Sequence, residues 1–119
     1  MITAVIGPPD FNSLNILEQK LPIKEMGVIV FANTAKWWAP FSETLIMYCN
    51  RNCISFMCFH THWENGDQAD KAAVANIIVV GNRLVAFMQS GDLTVVKTIA
   101  EFKKLSKPVQ IIHVGEKGT

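Results

Sequence analysis

The chain has 119 residues, half of them hydrophobic and 18% charged, with a formal net charge of +1. That length suits one domain spanning residues 1–119, and the composition supports a packed core rather than extended disorder. Nucleic-acid binding by phosphate neutralisation needs a denser basic face than this sequence supplies, since its only basic run is the pair Lys103-Lys104.

Five short apolar, β-rich runs alternate with four stretches of helical period. Ile2–Ile6 reads as the first strand, broken by Gly7-Pro8-Pro9. The first helix is expected to start near Asp10–Asn12 and to bury Leu14, Leu17 and Leu21. A second strand is expected over Gly27–Ala32. The second helix opens at Pro40, a residue favoured at the first helical position, with Phe41, Leu45 and Tyr48 inward. Cys53–His60 reads as the third strand. The third helix follows Gly66-Asp67, with Asp67 as its cap, and buries Ala69, Ala72, Ala73, Ile77 and Val80. Its end, Val79-Val80, reads equally as an early strand, although Gly81-Asn82 makes a good helix stop. Arg83–Met88 gives the fourth strand. The fourth helix begins at Thr94, buries Val95, Ile99, Phe102 and Leu105, and stops before Lys107-Pro108. Val109–Val114 is the fifth strand, and Gly115–Thr119 reads as a frayed tail.

Most of the β runs are apolar at consecutive positions, as strands covered on both faces are. The expected fold class is therefore α/β: a three-layer, Rossmann-like, doubly wound sheet of five mostly parallel strands, without linkers or repeats. In such a sheet the ligand crevice lies beyond the carboxyl ends of the strands, at the topological switch point. Four loops reach that edge: 7–12, 33–38, 60–65 and 89–94. The last offers Ser90, Gly91 and Thr94 at a helix start, the arrangement that seats anions.

At these positions the chain resembles the YspA-like branch of the SLOG superfamily, Rossmann-like domains related to DprA and to the Lonely-Guy cytokinin-activating enzymes. Val5-Ile6-Gly7 followed by Asp10-Phe11 resembles that branch's opening strand and its Gly-Ser-Arg-Asp-Phe turn. Trp63, Gly66, Ala72-Ala73 and Asn76 are similar to its Trp…Gly…Ala-Gly…Arg-Asn segment. Arg83–Phe87, Thr94, Thr98-Ile99 and Lys107-Pro108-Val109 are similar to its closing strand, Gly-Thr helix start and last strand. The resemblance spans nearly the whole chain in order and implies a sheet order of 3-2-1-4-5, nucleotide or nucleotide-derived ligands, and homo-oligomers. The family's Gly-Gly-Ala-Arg-Gly-Ala-Asp turn aligns with Asn33–Ala39, where Ala35 and a basic residue, Lys36, remain while the glycines and the acidic residue are gone. Lys97 stands in the place of the Lonely-Guy catalytic glutamate, which argues against that activity.

Several side chains carry two readings each. Trp37 and Trp38 either stack a purine, a contact of roughly 1–3 kcal/mol, or fill vacated space or a subunit interface. Cys58, His60 and His62 would share one strand face and are of zinc-binding type, but there is no Cys-x-x-Cys pair, and no metal is expected. His60 and His62 alternatively bond a phosphate or ribose at the crevice edge. Among the acidic residues, Asp67 and Asp92 read as helix caps and Glu43 as a first-turn residue favoured by the dipole. Thr94 reads as an anion ligand or as a plain N-cap. The three cysteines, an odd number, fit buried thiols in a reducing compartment. The opening residues lack a basic segment and no apolar run reaches membrane-spanning length, so the expectation is cytoplasmic.

The functional expectation is non-catalytic binding of a nucleotide or nucleotide-derived metabolite, with no cofactor. Gly7, Asp10 and Phe11 would shape the floor, Ser90, Gly91 and Thr94 would hold anionic oxygens, Lys36 would add charge, and Trp37 or Trp38 would form a base platform. The alternatives are a ligand-free domain used for oligomerisation or interaction and, lower, an N-glycosidase acting on nucleotides.

Overall fold

A computed structural model describes residues 1–8, 10–21, 27–33, 39–60, 68–89 and 92–114; for residues 60 and 68–72 the backbone alone is described. Strands and helices alternate throughout, as β1 (Ile2–Ile6), α1 (Leu14–Lys20), β2 (Val28–Asn33), α2 (Pro40–Arg51), β3 (Phe56–His60), α3 (Gln68–Val80), β4 (Arg83–Met88), α4 (Leu93–Lys104) and β5 (Val109–His113). The strands form one sheet in the order β3-β2-β1-β4-β5, and every neighbouring pair is parallel. This is the doubly wound α/β fold expected, with all strands parallel rather than most.

The two faces of the sheet follow from the period of two along each strand. Val5, Ile29, Phe31, Val85 and Phe87 face Leu17, Leu45, Tyr48 and Cys49 of α1 and α2. Ala4, Val30, Leu84 and Ala86 face Ile77 of α3 and Val95, Ile99 and Phe102 of α4. Consecutive positions on the central strands thus enter different cores, which is why their sequences carry no polar alternation.

Helix ends explain where the expected boundaries move. α1 starts at Leu14 rather than near Asp10, because the Ser13 hydroxyl accepts from the Ile16 amide at 3.3 Å and caps the helix there. Asp10 is left exposed in the preceding turn. α4 starts one residue before Thr94; its cap is Asp92, whose carboxylate accepts from the Val95 amide at 3.1 Å. α2 and α4 end alike, each with a non-glycine residue in the left-handed region: Cys53 at φ 54° and Ser106 at φ 58°. In both, the next amide returns to the last turn, Ile54 N–H to the Cys49 carbonyl and Lys107 N–H to the Phe102 carbonyl. The turn at Cys53 delays β3 to Phe56. The turn at Ser106 leaves Leu105 outside the helix and 53% exposed, where the helical period had placed it inside.

α3 remains helical through Val80, which settles the ambiguity at its end. Lys107 Nζ donates to the carbonyls of Ile78 and Val79 at 2.7 and 3.3 Å, placing a cation at the negative end of that helix. The cap expected from Asp67 lies outside the described residues.

Candidate crevice at the carboxyl edge of the sheet

From β1 the chain winds outward to β2 and β3, then returns to the other side of β1 for β4 and β5. The switch point is therefore the gap between β1 and β4, where α/β sheets open a crevice. A cavity of about 70 Å³ lies there, lined by Val5, Ile6, Gly7, Ala32, Phe41, Val74, Asp92 and Thr94. Small-molecule pockets span roughly 300–1,000 Å³, so these walls alone hold a fragment of a metabolite rather than a whole one.

Phe41, which lines the cavity, belongs to a cluster of three phenylalanines packed beside it. Phe11 stacks on Phe87 with centroids 5.7 Å apart, and Phe41 meets Phe87 edge-on and Phe11 at a tilt, each at 6.1 Å. Offset and edge-to-face pairs of this kind add to the stabilisation from burial. Gly7 is shaped by the same cluster. A Cβ there would stand 2.9 Å from the Phe41 ring and 3.2 Å from Phe87 Cβ. The absence of a side chain at Gly7 thus admits a ring of the protein itself.

The helix starts bordering the crevice are not alike. At α2 the buried Asn33, on the last position of β2, reaches across the connection: its Oδ1 accepts from the Ala39 amide and from the Ser42 hydroxyl, each at 3.0 Å. Asn33 thereby ties the end of β2 to the start of α2, without capping the helix's first-turn amides. At α4 Asp92 and Thr94 both line the cavity. The Asp92 Oδ1 caps the helix, and its Oδ2 has no hydrogen bond among the described residues. A carboxylate at this point opposes any second anion; two unit charges about 4 Å apart repel by roughly 1–4 kcal/mol between bulk-water and surface-like dielectric.

Of the residues expected to form the site, Gly7 and Thr94 line one cavity; Phe11 is not among the lining residues but stacks on Phe87 and meets Phe41, which does line it. Asp10 is exposed and takes no part in the lining. Lys36, Trp37, Trp38, Ser90 and Gly91 lie outside the described residues. Thr94 is not the N-cap; it sits in the first turn, where its carbonyl accepts from the Thr98 hydroxyl at 2.8 Å. Sequence reasoning passed over Phe41, Val74 and Asn33 as site residues and read Asp92 only as a cap. The signal for Asp92 was its dual position, both capping α4 and ending a crevice loop.

Two of the three thiols, Cys49 and Cys58, belong to the packing, whereas Cys53, in the turn after α2, is exposed rather than buried as expected. Burial pushes Cys49 up to about 11, and Cys58 to about 11 as well, although a hydrogen bond from the Asn33 backbone lowers the latter in part. Such groups stay protonated at neutral pH and make poor nucleophiles or metal ligands. β3 ends at His60, His62 lies beyond the described residues, and among the described residues no three His, Cys, Asp or Glu side chains gather as metal ligands. Also among the described residues, no helix is long and apolar enough to cross a membrane.

No family model, curated protein or solved structure matches the chain.

Proposed function

We propose that this domain binds a nucleotide-derived metabolite without catalysis, and that it recognises the nucleoside portion in preference to phosphate. The observation carrying this reading is the convergence of Gly7, Asp92 and Thr94 on one cavity at the switch point of the sheet. Asp92 supplies a carboxylate suited to a donor, such as a ribose hydroxyl or an exocyclic amine, much as an acidic residue holds a ribose in dinucleotide-binding folds. Thr94 supplies a hydroxyl that both donates and accepts. Phe41, Val5, Ile6 and Val74 form apolar walls. The SLOG resemblance supports a nucleotide-derived ligand, and Lys36, Trp37 and Trp38 lie in sequence between β2 and α2.

The test is isothermal titration of the purified chain against adenosine, guanosine, cytidine and uridine beside their mono- and diphosphates. Binding of at least one nucleoside, tighter than its phosphorylated forms, is the expected result. Silence across the whole panel with a folded protein would remove the proposal.

The packed phenylalanine cluster favours a second reading, a ligand-free domain serving assembly. In that case Phe41, held by Phe11 and Phe87, narrows the crevice where a ligand would otherwise lie. A Trp37→Ala, Trp38→Ala double variant separates the readings. Altered ligand affinity at unchanged mass supports binding, and loss of an oligomer supports assembly.

A further inference from the structure

The two edges of the sheet are β3 and β5, and they differ in how they are guarded. An edge strand presents unpaired backbone groups, and proteins commonly blunt such an edge with lysine, proline, a bulge or a covering element. β5 is entered through Lys107-Pro108, a charge and a residue without an amide hydrogen. From Asn52 to His60 the β3 segment has no charged residue and no proline. Its side chains are open as well: Phe56 is 36% and Met57 51% exposed, on opposite faces of the strand, and Ser55 is also exposed.

The register decides which backbone groups of β3 are free. Ile29 N–H donates to the Ser55 carbonyl at 3.0 Å, and Ile29 pairs with Phe56, Phe31 with Cys58 and Asn33 with His60. In a parallel ladder this spacing turns the amide and carbonyl groups of Ser55, Met57 and Phe59 toward β2. Those of Phe56, Cys58 and His60 therefore point outward from the sheet.

We infer that β3 is a self-association edge, at which a second copy of this chain adds its own β3 antiparallel and extends the sheet across a two-fold axis. The outward groups recur at every second residue, so the same strand reversed offers matching donors and acceptors. Centring the axis on Cys58 lets Cys58 exchange both backbone bonds with its counterpart, while Phe56 exchanges them with His60 of the second copy. In that register Met57 packs beside Phe59 of the second copy on the α3 face, covering the most exposed apolar side chain of the strand. A net charge of only +1 and an uncharged strand set no electrostatic barrier between copies. An isologous contact of this kind closes on itself as a dimer. It is independent of the crevice, which lies at the carboxyl ends of the strands between β1 and β4.

Sedimentation velocity over a concentration series, paired with hydrogen exchange at its two extremes, tests the inference. The expected result is a mass rising from one chain to two, with the Phe56 and Cys58 amides gaining protection as it rises. Met57→Lys should hold the mass at one chain with an unchanged circular dichroism spectrum, and Cys58→Pro, which removes an outward-facing amide together with a thiol packed on the core, should also hold it at one chain. Ile111→Lys on the other edge should behave as the parent. A single-chain mass at every concentration would overturn the inference, as would a dimer that persists in both β3 variants. Should the variants fail to fold, the exchange pattern of the parent still decides, since protection confined to other segments places the contact elsewhere.

Discussion

The helix starts of α2 and α4 face the same sheet edge but meet it differently. At α2 a buried asparagine from the end of β2 accepts from both the Ala39 amide and the Ser42 hydroxyl, so strand and helix are fastened together by a neutral group. At α4 the capping group is a carboxylate that also lines the cavity. The first end is a structural clasp. The second keeps a carboxylate facing the crevice, a charge that in the proposed function disfavours phosphate and accepts donors. Sheet topology thus locates a crevice, while capping chemistry decides what that crevice can hold.

The largest expected effect concerns the phenylalanine cluster packed beside the crevice. Phe87→Ala removes the ring on which Phe11 and Phe41 pack and should destabilise the domain by about 3–5 kcal/mol in urea unfolding. A loss below about 1 kcal/mol would mean that the cluster collapses around the change and does not hold Phe41 in place.

The contrast itself is sharpened by a pair of alanine variants. Asn33→Ala leaves the Ala39 amide and the Ser42 hydroxyl buried without this acceptor, a loss of about 1–3 kcal/mol. Asp92→Ala removes a more accessible cap, a loss of about 0.5–2 kcal/mol. Asn33 should be the costlier position by chemical denaturation. Equal losses, or the reverse order, would break the distinction between clasp and open end.

The smallest effect at neutral pH is a titration that appears only in alkali. Burial raises the Cys49 and Cys58 thiols to about 11, and raises Tyr48 to about 12 with further contributions from Cys49 and Glu18. The folded chain then holds protons that the unfolded chain releases, so stability falls as pH rises through this range. The full contribution is present below about pH 9 and is lost toward pH 11 for the thiols and toward pH 12 for Tyr48. Each group contributes a slope of at most about 1.4 kcal/mol per pH unit. Urea midpoints measured from pH 7 upward should therefore be flat and then decline, and a Cys49→Ala variant should decline less steeply.

Much of this architecture was legible because β1, β2 and β4 are central strands, and burial on both faces leaves unbroken apolar runs such as Val28–Ala32 and Leu84–Met88. The helix boundaries were less legible where two caps compete. Asp10 and Ser13 both suit an N-cap, and only the structure shows that it is the Ser13 hydroxyl that meets a first-turn amide. Leu105 continues the spacing of Ile99 and Phe102, yet the left-handed turn at Ser106 takes it out of the core. The site was the least legible part. Phe11, Phe41 and Phe87 come from three elements that no periodicity connects, and Asn33 acts on residues six and nine positions ahead. Asp92 was visible as a cap, but its second role depends on β1 and α4 converging in space.

The most direct test of the central claim is the nucleoside-to-nucleotide affinity ratio in the parent and in Asp92→Asn, measured by isothermal titration. Asparagine retains a capping oxygen and a hydrogen-bonding group while removing the charge. The account predicts that the substitution narrows the preference for nucleoside over monophosphate by about tenfold, equivalent to roughly 1.4 kcal/mol. An unchanged ratio would contradict it, because Asp92 would then have no part in ligand selection.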